Sequence, residues 1–334
     1  MRPGIRDVAK KLNLSITTVS RALDGYDDVA EQTRELVVKT ARQMGYSPNR
    51  AARQLRRQKA DTIGFILPAG AQHFSEPFFT EFIAGLGNEL SSRNYDLLVS
   101  AVASEEDEHE MYRRWANGGK VDGFILNRLR VDDWRVNFLS KMHTPFATLD
   151  HSGKKRYPCI RVDGAAGFIE LIEHVYSNGF RRFAFIGGPD NLVQQGERLA
   201  WFRQAVQNQG LKLPEKLVKT ADLTSTGGFQ AAAELLSLPD PPDAILCVND
   251  ETAFGVLHAA HDHGLEIGKR LAVAGFDGVQ DARHSEPPLT TLDIPVFDIA
   301  RQLVDMLLKS IETEIVGEPV LIKPNLLIRP STGG

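Results

Sequence analysis

Apolar residues at Ile5, Val8, Ala9 and Leu12 recur three and four positions apart. This spacing predicts a short helix that buries one edge and leaves Arg6, Lys10 and Lys11 on the rest of its circumference. Asn13, Leu14 and Ser15 interrupt the pattern, and Ser15 stands where it would cap a second helix, with Thr18 in place of the glutamate of a reciprocal capping box. Val19, Ala22 and Leu23 form the buried side of that helix and Ile16, Thr17, Ser20 and Arg21 its outward face. Two short helices joined by three or four residues make a helix-turn-helix. A third helix is predicted from Glu31 to Met44, with Leu36, Val37, Ala41 and Met44 inward, Gly45 ending it and Tyr46 closing the small core. Pro48 pushes Ser47 out of the helical region and Asn49 can cap a further short helix. Residues 50–57, RAARQLRR, are helix formers in a run too short to hold a helix alone, so this segment is expected to fold when phosphates neutralise its arginines.

Beyond residue 60 the periodicity changes. Short β-rich runs at 62–67, 95–100, 121–126 and 145–149, then 183–187, 244–248 and 272–276, alternate with helix-length stretches. That rhythm predicts parallel sheets with helices on both faces, and there is enough of it for two units. An amphipathic helix over 296–315, with Ile299, Leu303, Met306, Leu307 and Ile311 on one side, is expected to pack on the first. The fold class is therefore α/β: an N-terminal helix-turn-helix headpiece over 1–47, a hinge helix and linker over 48–60, and a two-lobed body over 61–330. The first lobe is expected to take about 61–161 and 292–320, the second about 162–291 and the C-terminal strand. Ligands of open parallel sheets sit outside the carboxyl ends of the strands. With two lobes, those ends should wall one cleft that closes on a small molecule by hinge motion.

Charge divides the chain at the same place. The first sixty residues hold thirteen Lys/Arg and six Asp/Glu, about +7, whereas the whole chain of 334 residues is −4, which leaves −11 for the remainder. A basic headpiece on an acidic body is aimed at a polyanion. Hydrophobic content of 42% with 28 Gly and 17 Pro describes a folded globule with many turns rather than a disordered chain. Cys159 and Cys247 each lie in a short apolar run and are expected to be buried strand thiols in a reducing compartment. No secretory leader pattern precedes residue 60 and no apolar run approaches a membrane span.

The outward face of the second helix carries the chemistry of base reading. Arg21 can offer two hydrogen bonds to a guanine edge, Thr17 can bond a base or press its methyl on thymine, and Ile16 supplies apolar contact. Ser20 can contact DNA or satisfy the backbone carbonyl behind it. In the basic segment after the third helix, Asn49, Arg50 and Arg56 are candidates for DNA contact. Ala52 permits close helix approach, and Leu55, stranded among arginines, is either a wedge between base steps of the minor groove or a contact with the body.

The predicted strand ends carry a different mixture. His73, Phe74, Glu76 and Phe78 come after the first strand, Asn127, Arg128 and Arg130 after the third, Asp150 and His151 after the fourth; Arg198, Asn249, Asp250 and Asp277 come from the second lobe. A sugar has apolar ring faces and a girdle of hydroxyls, which aromatic rings, planar arginines and carboxylates satisfy together; a purine ligand would favour stacking and amides instead. Asp250 can serve as a ligand contact or as a cap. The phosphate-cradling and nucleophile-elbow motifs of common enzymes are not seen in the sequence. His258, His261 and His263 do not share one helical face, so neither metal nor cofactor is expected, nor an enzyme. An exported solute-binding protein would account for the body alone.

The headpiece string IRDVAKKLNLSITTVSRALDG, continuing through ARQMGYSPNRAARQL, resembles the LacI/GalR family of bacterial transcriptional repressors. The body agrees at IGFILP, VDGFIL, RVDGAAGF, RRFAFIGG, GERLAWF, DAILCVND, VAGFDG and PPLTTL. The resemblance implies a cytoplasmic homodimer, associated with the nucleoid when bound, that reads a palindromic operator with paired hinge helices in its central minor groove. It implies that Ile16, Thr17 and Arg21 read bases, that Leu55 intercalates, that Ala52 faces the partner helix, and that Asp150, Arg198, Asn249 and Asp277 meet a small-molecule effector. Three positions depart from the family pattern: Trp201 stands where glycine is common, Gly164 where asparagine is common, and His151 where arginine is frequent. The stretch EEDEHEMYRRWANGGKVDGFILNRLRVDDWRVNFL resembles more narrowly a branch responding to α-glucosides, trehalose or maltose. With no leucine-heptad tail in view, a dimer is the expected assembly.

Overall fold

A computed structural model describes residues 3–24, 26–46, 59–67, 76–313, 315 and 317–333. The expected hinge helix, with Asn49, Arg50, Ala52, Leu55 and Arg56, and the loop bearing His73 and Phe74 lie outside the described residues. The chain forms two compact units, Met1–Ala60 and Asp61–Gly334.

The first unit has three helices, α1 (Ile5–Leu12), α2 (Ile16–Leu23) and α3 (Glu31–Gln43). Asp7 accepts the Gly4 N–H at 2.8 Å at the start of α1, and Asn13, in the left-handed region at φ 51°, turns the chain out of it. The Ser15 hydroxyl accepts the Thr18 N–H at 2.9 Å and lies 2.8 Å from the Thr18 hydroxyl, so the cap expected from sequence is present with a second, side-chain bond. Val8, Ala9, Val19, Ala22, Val29, Val37 and Ala41 form the core, with Met44 and Tyr46 packed against it. Leu36 corrects the sequence expectation: it is 51% exposed, while Thr40 is buried. At about 100° per residue, Leu36 lies about 100° from Val37 and about 140° from Ala41, whereas Thr40 lies only about 60° from Val37.

The second unit contains two six-stranded sheets. In chain order the first half supplies β1 (Thr62–Leu67), α4 (Pro77–Ser92), β2 (Asp96–Ala101), α5 (Glu105–Asn117), β3 (Gly123–Leu126), α6 (Trp134–Lys141), β4 (Phe146–Leu149) and β5 (Cys159–Val162). Next come α7 (Ala165–Ser177), β6 (Phe183–Gly187), α8 (Val193–Asn208), β7 (Val218–Thr220), α9 (Ser225–Leu236), β8 (Ala244–Cys247), α10 (Asp250–Asp262), β9 (Ala272–Asp277) and β10 (Thr290–Asp293). The chain ends with α11 (Val296–Thr313), β11 (Val320–Ile322) and β12 (Asn325–Leu327). The first sheet runs β11-β5-β4-β3-β1-β2, all parallel; the second runs β12-β10-β9-β8-β6-β7, parallel except for the β10–β12 pair.

The chain crosses between the sheets three times, after β5, after β10 and after β11. These crossovers come one or two residues later than the expected boundaries at 161, 291 and 320, because β5 continues to Val162, β10 to Asp293 and β11 to Ile322. Helix α11 packs on α4 and on the first sheet through Ile299, Leu303 and Leu307, all fully buried. At about 1.5–3 kcal/mol for each large apolar side chain taken from water, this returning helix is a main tie of the first lobe. Gly85 permits its approach, since a Cβ there would strike the Phe297 carbonyl. Cys159 and Cys247 are buried free thiols, as expected. Among the described residues no helix is long and apolar enough to cross a membrane.

Candidate effector cleft and DNA-reading face

The carboxyl ends of the two sheets face one cavity. From the first lobe come Glu76 and Phe78 at the start of α4, Asn127 and Arg128 after β3, Leu149 and Asp150 at the end of β4, and Val162 at the end of β5. The second lobe contributes Gln194 and Arg198 on α8, Asn249 after β8 and Asp277 at the end of β9, and Ile294 adds an apolar patch at a crossover. Phe78, Arg128, Asp150, Arg198, Asn249 and Asp277, singled out in the sequence, are thus brought together. Gln194 and the apolar liners Leu149, Val162 and Ile294 were not. Gln194 was legible as the residue one helical turn before Arg198, on the same face.

The cavity charges are paired across short distances. Arg128 donates to Glu76 at 2.5 Å, its guanidinium lies 4.8 Å from the Phe79 ring centroid, and its backbone sits at φ 49° with its N–H on the Asn127 side-chain oxygen at 2.5 Å. Arg198 reaches Asp277 at 3.4 Å, donates to the Val248 carbonyl and stacks 3.7 Å over Phe276. Burial pushes the Asp277 carboxyl up to about 6, against the opposing charges of Arg198 and Arg128. Burial likewise lifts Asp150 to about 6, with Arg198, from the other lobe, opposing. Phe78 stacks on Phe82 with centroids 5.9 Å apart, which holds its ring at the cavity wall.

Two polar neighbours are structural. The Asn249 side-chain oxygen caps α10, accepting the Thr252 N–H at 3.1 Å and its hydroxyl at 2.5 Å, and its amide donates to the Leu223 carbonyl at 3.1 Å. One amide hydrogen remains for the cavity. Asp250 neither lines the cavity nor caps its helix: its carboxylate accepts the Gly278 and Val279 N–H groups, both at 2.9 Å, and the Thr291 hydroxyl at 2.6 Å, which ties the loop after β9 to β10.

Beside the cavity the lobes are clasped by backbone. Val131 N–H donates to the Asn191 carbonyl at 2.8 Å and Val193 N–H to the Leu129 carbonyl at 2.9 Å, around an antiparallel bridge between Arg130 and Leu192. The first-lobe side rests on a buried ionic knot. Arg135, 1% exposed, bonds Asp133 at 2.6 Å, Glu108 at 3.4 Å and the carbonyls of Asn127 and Arg128 at 3.2 and 3.0 Å, while Arg130 pairs with Glu108 at 2.8 Å. The arginine and aspartate spacing of 128–133 therefore has a physical role: Arg128 serves the cavity, Arg130 and Asp133 the support beneath the clasp. A further interlobe pair joins Arg161 to Glu197 at 3.1 Å.

On the headpiece, Ile16 and Thr17 are exposed on α2 and Ser20 and Arg21 half-buried beside them, so the four share one side of the helix. Arg21 forms an ion pair with Asp28 at 2.5 Å. His263 closes the end of α10 on the Ala259 carbonyl at 2.8 Å, and among the described residues no three His, Cys, Asp or Glu side chains are placed to hold a metal.

A basic helix-turn-helix joined to a two-lobed body with a polar cavity at its strand ends defines a DNA-binding transcriptional regulator. Residues 4–49 match the family described as bacterial regulatory proteins, lacI family, and residues 172–332 the periplasmic binding protein-like domain. The chain is 33% identical to the HTH-type transcriptional regulator AglR of Rhizobium meliloti (strain 1021), over 100% of this chain and 95% of the relative. The solved transcriptional regulator CelR–cellobiose complex superposes with a TM-score of 0.75 at 29% identity, covering 99% of this chain and 100% of that one. The lac repressor dimer bound to operator and an anti-inducer gives 0.83 at 25% identity, covering 99% of each chain. The chain belongs to the LacI family.

Proposed function

We propose that the chain is a homodimeric repressor of carbohydrate-use genes in a bacterial cytoplasm, whose hold on a palindromic operator is set by a small sugar in the cleft, an α-glucoside or related di- or oligosaccharide. The observation that carries this reading is the pairing of Arg128, Arg198, Asp150 and Asp277 with the Phe78 ring and the apolar patch of Leu149, Val162 and Ile294 in one cavity. Guanidinium and carboxylate groups suit adjacent hydroxyls, and the ring suits a sugar's apolar face. Asn249 adds one amide hydrogen, and His73 and Phe74 belong to the loop that leads into Glu76 and Phe78. The similarity to the CelR–cellobiose complex supports a glucose-containing disaccharide as the ligand class.

Ile16, Thr17, Ser20 and Arg21 read the operator's major groove; Asn49, Arg50 and Arg56 hold its phosphates. Leu55 enters the minor groove beside Ala52 of the paired segments. Lobe closure changes the separation of those segments and so the operator affinity. The test titrates the full chain with maltose, trehalose, sucrose and cellobiose, and with adenine and ribose, reading affinity for a duplex selected from a randomised pool. A glucoside that moves the affinity by roughly 5- to 150-fold supports the proposal. Adenine or ribose moving it while no glucoside does overturns the sugar assignment.

A further inference from the structure

We propose that Asp28 is a specificity-determining residue of the DNA interface, a positioning residue that holds Arg21 with one hydrogen-bonding fork filled and the other presented outward. The inference rests on Arg21 as a base reader. Asp28 Oδ1 accepts from Arg21 Nε at 3.0 Å, and Oδ2 lies 2.5 Å from Nη2. These two nitrogens make the side-on edge of the guanidinium. The end-on edge, one N–H from Nη1 and one from Nη2, has no partner among the described residues. A guanine presents O6 and N7 in the major groove, and two parallel N–H donors are what it takes.

The pair is built into the headpiece. Arg21 lies in the last turn of α2, Asp28 in the connection to α3, and the Tyr26 ring backs the guanidinium at 4.9 Å. That connection is pinned at both ends: Tyr26 N–H donates to the Arg21 carbonyl at 3.1 Å, Arg34 donates to the Tyr26 carbonyl at 2.8 Å, and Val29 is buried in the core. A half-exposed ion pair contributes little to folding. Here the side chains are 42% and 54% exposed, so the geometry does more for recognition than for stability.

The pair acts on DNA binding in two ways. The flexible arginine reaches the groove with its orientation already set, which reduces the ordering cost of the specific contact. The carboxylate beside it repels phosphates and weakens attraction to duplexes in which no guanine meets the free fork. Asp28 therefore widens the gap between specific and nonspecific binding from both sides.

The experiment measures binding of the full chain and its Arg21→Ala, Asp28→Asn and Asp28→Glu variants to a duplex selected by the unmodified chain, to every single-base-pair variant of it, and to a scrambled duplex. Asp28→Asn is expected to cut discrimination roughly 10-fold at the base pair whose identity Arg21→Ala ceases to sense, while affinity for the scrambled duplex rises. Asp28→Glu, which retains the charge, is expected to restore part of the discrimination, an outcome a loss of folding would not produce. If Arg21→Ala erases sensitivity at one base pair but Asp28→Asn leaves the pattern unchanged, or weakens all duplexes alike, the role of Asp28 is refuted and the reader survives. If Arg21→Ala leaves the pattern intact, the reader itself fails, and the proposal with it.

Discussion

The indole of Trp201 occupies the space that a side chain at residue 164 would need: a Cβ built on Gly164 would stand 2.8 Å from Trp201 Cζ3 and 2.9 Å from Cε3. The Phe276 ring lies behind it at 3.4 Å from the same point. The two positions share one packing volume, where the chain crosses from β5 to α7.

Because the volumes are complementary, substitutions at these positions are expected to couple. Gly164→Asn should cost about 1–3 kcal/mol by overpacking, and Trp201→Gly about 3 kcal/mol, toward the low side for a ring only half-buried. The double variant should recover about 1 kcal/mol or more relative to the sum, as read in urea unfolding of the four proteins. Strict additivity would mean that the two sites do not share one space.

The cleft carboxylates give a pH signature of definite sign. Asp150 and Asp277 have pKa values pushed from the ordinary 3.8 up to about 6 by burial, so between these values the folded chain binds more protons than the unfolded one. Their contribution is most favourable below pH 4 and is lost as pH rises through 6. At about 1.4 kcal/mol per pH unit, each can remove on the order of 3 kcal/mol across that window. Asp277→Asn should therefore flatten the fall in unfolding free energy between pH 4 and 6.5 relative to the parent; parallel curves would dismiss the carboxylate as its source.

The interlobe clasp predicts a separation of folding from sensing. Val131 is 62% exposed, so Val131→Pro removes little packing but deletes the N–H that reaches Asn191. Losing one net hydrogen bond of about 0.5–1.5 kcal/mol should weaken closure, and with it sugar affinity, by roughly 2- to 10-fold in calorimetric titration, with the urea midpoint barely moved. Arg135→Met strikes the support instead. It leaves Asp133 buried without its cation and Glu108 with Arg130 alone, and should cost about 3–5 kcal/mol of stability.

Long or strongly patterned elements were legible in the sequence, and the reasons are local. α1, α2, β1 and β6 arise from spacing and caps alone, and the Ser15 cap is where its hydroxyl and position put it. Among the strands of three or four residues, β3, β4 and β8 were marked by the apolar runs around them, whereas β5, β7, β10 and β11 were not and exist because neighbouring strands pair with them. The cavity residues were legible as polar groups at strand ends. Their partners were not, since Arg128 meets Glu76 and Arg198 meets Asp277 only after the sheets form. Leu36 shows the converse error, an apolar residue assigned inward by type when its angular position faces it out.

Arg198 offers the sharpest division between sensor and reader. Its planar group stacks on Phe276 at 3.7 Å, donates to the Val248 carbonyl and approaches Asp277, three contacts that use the guanidinium's shape as much as its charge. Lysine keeps the charge but has neither the flat face nor the fork. In Arg198→Lys the buried charge persists, so the body should fold. The cleft loses the planar group that links its Asp277 side to its Asp150 side. Affinity for the proposed sugar is expected to fall by roughly 10- to 150-fold, as for one charge-assisted hydrogen bond of about 1.5–3 kcal/mol, while affinity for the selected duplex without sugar stays within about 2-fold of the parent. The expected protein binds its operator and no longer hears the effector. A variant that loses both functions while remaining folded would show that Arg198 holds the DNA-competent arrangement of the lobes rather than the ligand.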